Sequence, residues 1–189
     1  MRHKKKQIGK FLSLILRHNP DVVGIELDKN GWADVDELVR GIQKTRDFSR
    51  KELEEIVRTD EKMRYSFNED GTKIRANQGH SVRVDLGLQT LEPPEVLWHG
   101  SARRFHDGIM ESGLLPKSRL QVHLSSDYAT AVKVGARHGE PIVYQVLSGR
   151  MHQDGYLFYL SSNGVWLTDH VPAAYLHLAT SEASGGTQE

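Results

Sequence analysis

Three segments rich in arginine and histidine could bind an anion, and the first of them is Arg17-His18. This pair directly follows an amphipathic segment and would stand at the end of a helix. An arginine fork can grip two oxygens of one phosphate, and an adjacent histidine can donate a proton to it. A basic pair at a helix C-terminus is also favourable by itself, because it interacts with the helix dipole. The pair therefore predicts a phosphate clamp, with an ordinary helix end as the alternative.

The other two segments combine the same residue types with glycine. Arg75 opens the stretch Arg75-Ala76-Asn77-Gln78-Gly79-His80-Ser81, which is dense in hydrogen-bond donors for an anion. Arg137-His138 lies between Gly135 and Gly139, and basic loops bounded by glycine suit phosphate binding. The alternatives are a polar linker for the first stretch and a solvated helix end for the second.

Two strand-like segments carry histidine and serine together. His99-Gly100-Ser101 follows a predicted strand, and its glycine would let the backbone approach a ligand closely. In His123-Leu124-Ser125 the two polar residues share one face, because side chains alternate along a strand. Histidine and serine can hydrogen-bond a ribose diol. For either segment alone, a simple strand end or a structural histidine is the alternative.

Composition excludes several kinds of site and function. The sequence has no cysteine and no histidine spacing typical of a metal site, so we expect neither disulfides nor a bound metal. Lys and Arg equal Asp and Glu at 25 each, which argues against non-specific coating of nucleic acid. No apolar run approaches the ~20 residues needed to cross a bilayer. We expect a soluble cytoplasmic protein with no membrane association and no obligate protein partner.

Two composition regimes meet near residue 80. Residues 1–80 carry 17 Lys and Arg against 14 Asp and Glu, whereas residues 81–189 carry 8 against 11. Seven of the ten histidines lie in the second regime. This shift predicts two domains, over residues 1–80 and 81–180, and a disordered tail over residues 181–189. The fold class expected for the whole is α+β.

The first domain has the pattern of three helices followed by a hairpin. An apolar stripe of helical spacing over residues 8–16 should end at Asn19-Pro20, because the residue before proline is disfavoured in a helix. Asp34 and Ser49 are each followed three residues later by glutamate, so both should cap a helix. Residues 64–76 have the pattern of two short strands around a turn. This order predicts a winged-helix module.

The second domain has the pattern of short strands and short helices. Asn163-Gly164 between two apolar runs is a strong hairpin signal, and Asp127 can cap a helix that runs to Gly135. The other predicted elements are strands over residues 96–98, 142–147 and 156–160 and a helix over residues 105–112.

Taken together, these motifs resemble those of the RNA 2'-phosphotransferase family, a family that acts in tRNA processing. They occur in family order over nearly the whole chain, and such an ordered set is far more specific than any one motif. The matching segments are Leu12-Ser13-x-x-Leu16-Arg17-His18-x-Pro20, Gly31-Trp32, Ile74-Arg75-Ala76-x-Gln78-Gly79-His80-Ser81, Trp98-His99-Gly100-Ser101, Val122-His123-Leu124-Ser125, Val134-Gly135-x-Arg137-His138-Gly139 and Asn163-Gly164-Val165-Trp166-Leu167.

The resemblance implies two lobes with the active site between them. The first would be a winged-helix-like lobe that binds RNA and phosphate, and the second an ADP-ribosyltransferase-like lobe of mixed β structure that binds NAD. The family's catalytic residues map onto Arg17, His18, Arg75 and Arg137. Its NAD contacts map onto three segments: His99, Gly100 and Ser101; His123, Leu124 and Ser125; and the hairpin residues Asn163 and Gly164.

The activity implied by the resemblance is removal of an internal 2'-phosphate from RNA, with NAD consumed as co-substrate. The RNA phosphate would first attack the anomeric carbon of the nicotinamide ribose and expel nicotinamide, giving an ADP-ribosylated RNA 2'-phosphate. The 2''-hydroxyl of that ribose would then attack phosphorus. The products would be RNA with a free 2'-hydroxyl and ADP-ribose 1''-2'' cyclic phosphate.

Two other functions would use part of the same sequence. A general ADP-ribosyltransferase that modifies protein or nucleic-acid ends would need the NAD lobe, but not Arg17-His18 and Arg75. A winged-helix regulator would need a basic recognition helix. The third predicted helix, over residues 49–58, has as many acidic as basic residues, so it would repel DNA as much as attract it.

Overall fold

A computed structural model describes residues 2–179, so the tail predicted to be disordered lies outside the described residues. The described chain contains six α-helices and three antiparallel sheets of three strands each, which confirms the α+β fold class. It forms two compact units. The first runs to Leu88 and includes Ser118–Leu120, and the second comprises Gln89–Lys117 and the chain from Gln121 onward.

The first unit is built from three helices and a small sheet, in which the central strand is the second arm of the hairpin. Strand β3 pairs antiparallel with β1 on one side and with β2 on the other. The elements in chain order are α1 Arg2–Arg17, a 3-10 turn Pro20–Val23, β1 Ala33–Asp34, α2 Val35–Gln43, α3 Arg50–Arg58, β2 Tyr65–Phe67 and β3 Lys73–Ala76.

The helix boundaries in this unit follow from the capping residues. The side chain of Asp34 accepts the N–H of Glu37, and Ser49 forms a complete capping box with Glu52. Both satisfy N–H groups that the first turn of a helix leaves unpaired. Helix α1 ends at Arg17, just before Asn19-Pro20. These predictions are therefore confirmed, and they place Arg17 at the C-terminal end of a helix.

The apolar stripe of α1 anchors this end in the core. Ile8, Leu12, Ile15 and Leu16 are buried and pack in one cluster with the apolar faces of the other two helices and the sheet. Burying each such side chain contributes about 1.5–3 kcal/mol. The position of Arg17 is therefore set by the core packing of the residues that precede it.

The second unit contains two sheets and three short helices. One sheet has the order β4-β6-β9 and the other β5-β8-β7. The elements are β4 Leu97–Ala102, a 3-10 turn Arg103–Phe105, α4 His106–Ser112, β5 Val122–Leu124, α5 Tyr128–Gly135, β6 Pro141–Val146, α6 Ser148–Gln153, β7 Tyr159–Leu160, β8 Trp166–Thr168, a 3-10 turn Ala173–Tyr175 and β9 Leu176–Leu178.

Most predicted elements of the second unit are present. Asp127 caps α5 by accepting the N–H of Thr130. Asn163-Gly164 lies in the turn between β7 and β8, which pair antiparallel, and Gly164 has a φ of 78°. That backbone conformation strongly favours glycine, so the hairpin prediction is confirmed.

Two strand predictions for this unit are wrong in their extent. Strand β4 does not stop at Trp98 but continues through Ala102, because it pairs residue by residue with β6 as far as Pro141. The predicted strand over residues 156–160 shortens to β7. The carbonyl of Phe158 accepts the N–H of Leu91, and the carbonyl of Leu157 accepts the hydroxyl of Thr168.

Helix α5 lies unusually close to strand β4. A Cβ at Gly100 would stand 1.7 Å from the carbonyl oxygen of Ala131, and one at Gly135 would stand 2.6 Å from the carbonyl oxygen of Ser101. Real side chains do not fit at these distances, so both positions need glycine for the helix to pack on the strand. The backbone at Gly100 therefore closely approaches the protein's own helix α5.

Candidate functional site

The end of α1 binds the segment that follows the hairpin. The carbonyl of Arg17 accepts the N–H of Ser81 at 2.8 Å and that of Val82 at 3.2 Å. The last carbonyls of a helix have no partner within the helix, so these bonds satisfy one that would otherwise need water. They bring Arg17-His18 together with His80-Ser81, two motifs more than 60 residues apart in the chain.

The Arg17 side chain lies largely inside the first unit. Burial lowers the pKa of the Arg17 guanidinium, and the positive charges of Arg64 and Arg119 lower it further. Its Nε and Nη2 atoms are shielded from solvent, and among the described residues they have no hydrogen-bond acceptor. A desolvated cation without an acceptor is costly. A bound anion would offset that cost, so Arg17 is suited to an anionic ligand.

His18 is oriented by Ser81. The His18 Nδ1 atom and the Ser81 hydroxyl are 2.9 Å apart, whereas the other possible acceptor of the hydroxyl proton, the Arg17 carbonyl, is 3.5 Å away and already accepts two N–H groups. The hydroxyl therefore donates best to Nδ1, which leaves the proton of neutral His18 on Nε2. Burial lowers the pKa of His18, and so do the charges of Arg17 and Arg119. A bound phosphate would oppose the effect of those charges.

His80 is a buried histidine at the centre of these cations. Only 2% of its surface is exposed. Burial is the main cause that lowers the pKa of His80 to about 4, and the charges of Arg17, His18 and Arg75 add to it. His80 is therefore neutral at physiological pH, and it packs between charged groups without adding to their repulsion.

Because His80 is buried and neutral, we expect the first unit to lose stability as the pH falls. In the unfolded chain His80 should titrate near its ordinary value of 6.5, but in the folded protein near 4. Between these values only the unfolded chain binds the proton, so stability is complete above pH 6.5 and declines as the pH falls towards 4. We expect the His80 contribution to lower the free energy of unfolding by about 2 kcal/mol between pH 7 and pH 5.

Urea unfolding at the two pH values, followed by the fluorescence of Trp32, measures this change. The variant His80→Gln should lose most of the pH dependence, whereas the control variant His177→Gln, at an exposed position, should keep it. An unchanged pH dependence in His80→Gln would contradict the assignment.

Arg75 is held against Trp32. Its guanidinium carbon lies 4.4 Å from the centre of the Trp32 ring, and Nη1 donates to the carbonyl of Leu86 at 3.4 Å. Burial lowers the pKa of Arg75, and its charge acts on His80. The structure thus brings three of the four predicted catalytic residues, Arg17, His18 and Arg75, into one neighbourhood.

Two further arginines belong to this neighbourhood, and the sequence analysis did not single them out. Arg119 lowers the pKa of both Arg17 and His18, and the N–H of the next residue, Leu120, donates to the His80 carbonyl at 3.0 Å. Arg64 forms an ion pair with Asp60 and also acts on Arg17. Arg119 stands in an ordinary polar loop, and Arg64 begins a predicted strand. Neither position carries a local signal of function.

We call this set the cationic cluster: Arg17, His18, Arg64, Arg75, His80 and Arg119.

Arg137, the fourth predicted catalytic residue, lies in the second unit. It is exposed, and its N–H donates to the carbonyl of Val134 in the turn that ends α5. Its catalytic role stays a prediction.

The two histidine–serine segments of the second unit lie side by side. His99 Nδ1 donates to the carbonyl of His123 at 3.0 Å, and Trp98 and Ser125 exchange two backbone hydrogen bonds. This fixes the ring of His99 with Nδ1 as the donor. The side chains of His99 and His123 are half-buried, whereas Leu124 is buried in the core. Leu124 can therefore contact a ligand only through its backbone.

The hairpin residue Asn163 is fixed by its neighbours. The hydroxyl of Ser161 donates to Asn163 Oδ1 at 2.7 Å, and the N–H of Gly164 donates to the Ser161 carbonyl at 2.9 Å. The hairpin is therefore a preformed turn. The NAD contacts predicted for Asn163 and Gly164 stay predictions.

A family model described as RNA 2'-phosphotransferase, Tpt1/KptA family, matches residues 3–170. The chain belongs to this family. It is similar to proteins named "Probable RNA 2'-phosphotransferase" in several bacteria. That of Acaryochloris marina is 52% identical over 176 residues, which cover 93% of this chain and 97% of the relative. That of Nostoc punctiforme is 53% identical over 171 residues, covering 90% and 94%. That of Hahella chejuensis is 46% identical over 186 residues, covering 98% and 100%.

The match to the RNA 2'-phosphotransferase family includes residues of both units. It contains every member of the cationic cluster and all the histidine, serine and glycine segments described for the second unit. RNA is therefore the substrate class that the family name implies.

Two further observations concern membrane-spanning helices and metal sites. Among residues 2–179, no helix is long and apolar enough to cross a membrane. Within the same residues, no three His, Cys, Asp or Glu side chains cluster in a way that could hold a metal ion.

Proposed function

We propose that this RNA 2'-phosphotransferase family member transfers an internal 2'-phosphate of RNA to NAD. The observation that carries the proposal is the cationic cluster, in which two buried donor atoms of Arg17 have no acceptor among the described residues. A 2'-phosphate supplies oxygens for those donors and negative charge for the surrounding arginines. Family membership supplies RNA as the molecule that carries the phosphate.

NAD is proposed as the acceptor because the second unit has a donor and acceptor set that fits a ribose. His99 Nδ1 donates to the His123 carbonyl, and the half-buried residues Ser101 and Ser125 carry hydroxyls on the two bonded segments. When bound, NAD supplies an anomeric carbon with a good leaving group.

In the proposed first step, an oxygen of the RNA 2'-phosphate forms a bond to that anomeric carbon. The bond from the carbon to nicotinamide breaks, and nicotinamide leaves with the electron pair. A phosphate is already anionic near neutral pH, so this step needs no general base. The task of the protein is to hold the phosphate, which the arginines of the cationic cluster can do. The RNA then carries an ADP-ribosylated 2'-phosphate.

In the proposed second step, the oxygen of the ribose 2''-hydroxyl bonds to phosphorus and its proton passes to water, while the bond from phosphorus to the RNA 2'-oxygen breaks. Charge builds up on the phosphoryl oxygens, where fixed cations are most effective. We assign this role to Arg17 and Arg75 of the first unit, together with Arg119, and to Arg137 from the family motif. His18 is the proposed acid for the departing RNA oxygen. The acid is the imidazolium form of His18, in which Nδ1 would donate to the Ser81 hydroxyl, so the proton given to the RNA oxygen comes from Nε2.

The topology of the first unit supports a winged-helix fold for the phosphate-binding lobe. The order is α1, β1, α2, α3 and then a hairpin, and β1 pairs with the second arm of that hairpin. For the second unit we propose an ADP-ribosyltransferase-like fold, supported by its two small antiparallel sheets and by the histidine–serine segments on β4 and β5.

Incubating the purified protein with NAD and a 2'-phosphorylated oligonucleotide tests the function. We expect nicotinamide, RNA with a free 2'-hydroxyl and ADP-ribose 1''-2'' cyclic phosphate. The variant His18→Ala should accumulate the ADP-ribosylated RNA, because the first step needs no acid and the second step does. Full conversion by His18→Ala at the normal rate would contradict the role of His18. ADP-ribose attached to RNA ends or to protein, without cyclic phosphate, would instead indicate a general ADP-ribosyltransferase.

A further inference from the structure

Phe105 lies at the surface of the second unit between two cationic side chains. The guanidinium carbon of Arg104 is 4.7 Å from the centre of the Phe105 ring, and the ammonium of Lys117 is 4.6 Å from it. All three residues are exposed. Contacts of this kind at exposed sites contribute about 0.5–1 kcal/mol each. They hold two long side chains at defined positions at the surface.

The positive charge of the second half of the sequence is concentrated in the stretch that contains these three residues. Residues 81–189 have 8 Lys and Arg, and six of them lie between positions 103 and 137, although this half carries 11 Asp and Glu. Arg103 is partly neutralised, because its Nε donates to Glu140 at 2.7 Å. Arg104 and Lys117 have the Phe105 ring as their described contact, so their charge is available to an external anion.

The two cations connect with other basic segments. A Cβ at Gly139 would lie 3.4 Å from Arg104 Nη1, so Arg104 lies over the glycine-bounded loop that carries Arg137 and His138. Lys117 precedes Arg119 of the cationic cluster by two residues in the sequence. Arg104, Phe105 and Lys117 form a short cationic surface on the second unit. We call it the 104–117 strip.

We propose that the 104–117 strip binds backbone phosphates of the substrate RNA outside the dinucleotide that carries the 2'-phosphate. This inference rests on the proposed function, since it assigns a surface to the body of the same substrate. RNA fits because each nucleotide adds one backbone phosphate, which a lysine or arginine can contact. The Phe105 ring holds both cations in place before binding, so little side-chain freedom is lost when they meet phosphates. Two cations suit a short single-stranded stretch.

The double variant Arg104→Gln, Lys117→Gln tests the strip with two substrates. One is a dinucleotide with an internal 2'-phosphate, which lacks these outer backbone phosphates, and the other is a 12-nucleotide RNA with the same modification. We expect KM for the longer RNA to rise about tenfold at low salt and KM for the dinucleotide to stay within about twofold, since only the longer RNA loses phosphate contacts. The control variant is Arg150→Gln, which removes an exposed arginine that also lies over an aromatic ring, Tyr175, and it should leave both values unchanged.

Binding of an unphosphorylated 12-nucleotide RNA gives a second measurement that does not depend on catalysis. Fluorescence anisotropy at several salt concentrations should show a slope of log affinity against log salt that is less steep by about 1.4 in the double variant, because each contact to a single strand contributes about 0.7. An unchanged slope would overturn the proposal. An equal rise of KM for both substrates would also overturn it, because the residues would then act at the reacting phosphate or on folding. If the two proteins differ in slope as expected but the wild type transfers no phosphate to NAD, the proposed function is contradicted and the strip is still supported.

Discussion

Replacing Arg17 by alanine should lower the rate of phosphate transfer about 100- to 1000-fold, the loss typical of removing one fixed donor to a developing oxyanion. Arg17 is largely buried, its position is set by the core packing of α1, and two of its donor atoms have no acceptor within the described protein. Alanine removes the charge of the cluster that stands on the last residue of α1. Single-turnover assays with NAD and 2'-phosphorylated RNA measure the effect.

The variant Arg17→Lys separates geometry from charge. Lysine keeps the positive charge but lacks the planar fork that binds two oxygens, so we expect it to recover only part of the lost rate. Arg119→Ala should also lower the rate, but by less than Arg17→Ala, because Arg119 is exposed and acts on Arg17 and His18 only through its charge. Arg58→Gln, at an exposed position in the last turn of α3, is the control and should keep the normal rate. Normal turnover by folded Arg17→Ala would remove the cationic cluster from the proposed active site.

Replacing Gly100 by alanine should destabilise the second unit by about 3 kcal/mol or more, at the upper end of the usual cost of overpacking. The added methyl group would stand 1.7 Å from the Ala131 carbonyl oxygen and 2.6 Å from its carbon. Both atoms belong to the backbone of α5, so no side-chain rotation can relieve the contact. The helix must move away from β4, and its packing against the strand is then lost.

Urea unfolding followed by the fluorescence of Trp98 and Trp166 measures this loss, because both residues lie on strands of the second unit. Gly108→Ala is a matched control on α4, where an added Cβ has no neighbour within 4 Å. That variant should be neutral or more stable by about 0.5–1 kcal/mol, because alanine favours the helix. Equal stability of Gly100→Ala and the wild type would show that α5 is not held against β4 as described.

Local signals predicted much of the secondary structure. The capping residues Asp34, Ser49 and Asp127 each begin a helix, and Asn163-Gly164 forms its hairpin. These outcomes depend on hydrogen bonds between residues close in sequence, so a short window contains the information. Strand β4 was predicted too short because its continuation past Trp98 depends on pairing with β6, more than 35 residues away.

The sequence by itself also determined the α+β class and the family, since the motifs occur in family order, and it singled out Arg17, His18 and Arg75. Only the tertiary structure decided which neighbouring groups orient these side chains and shift their pKa values. Ser81 orients His18 because both lie at the end of α1, where the Arg17 carbonyl needs donors. Arg119 is brought to this group because the N–H of the following residue, Leu120, donates to the carbonyl of His80. Burial and charge depend on every atom nearby in space, so no local spacing could have predicted that His80 stays neutral or that Arg119 belongs to the cluster.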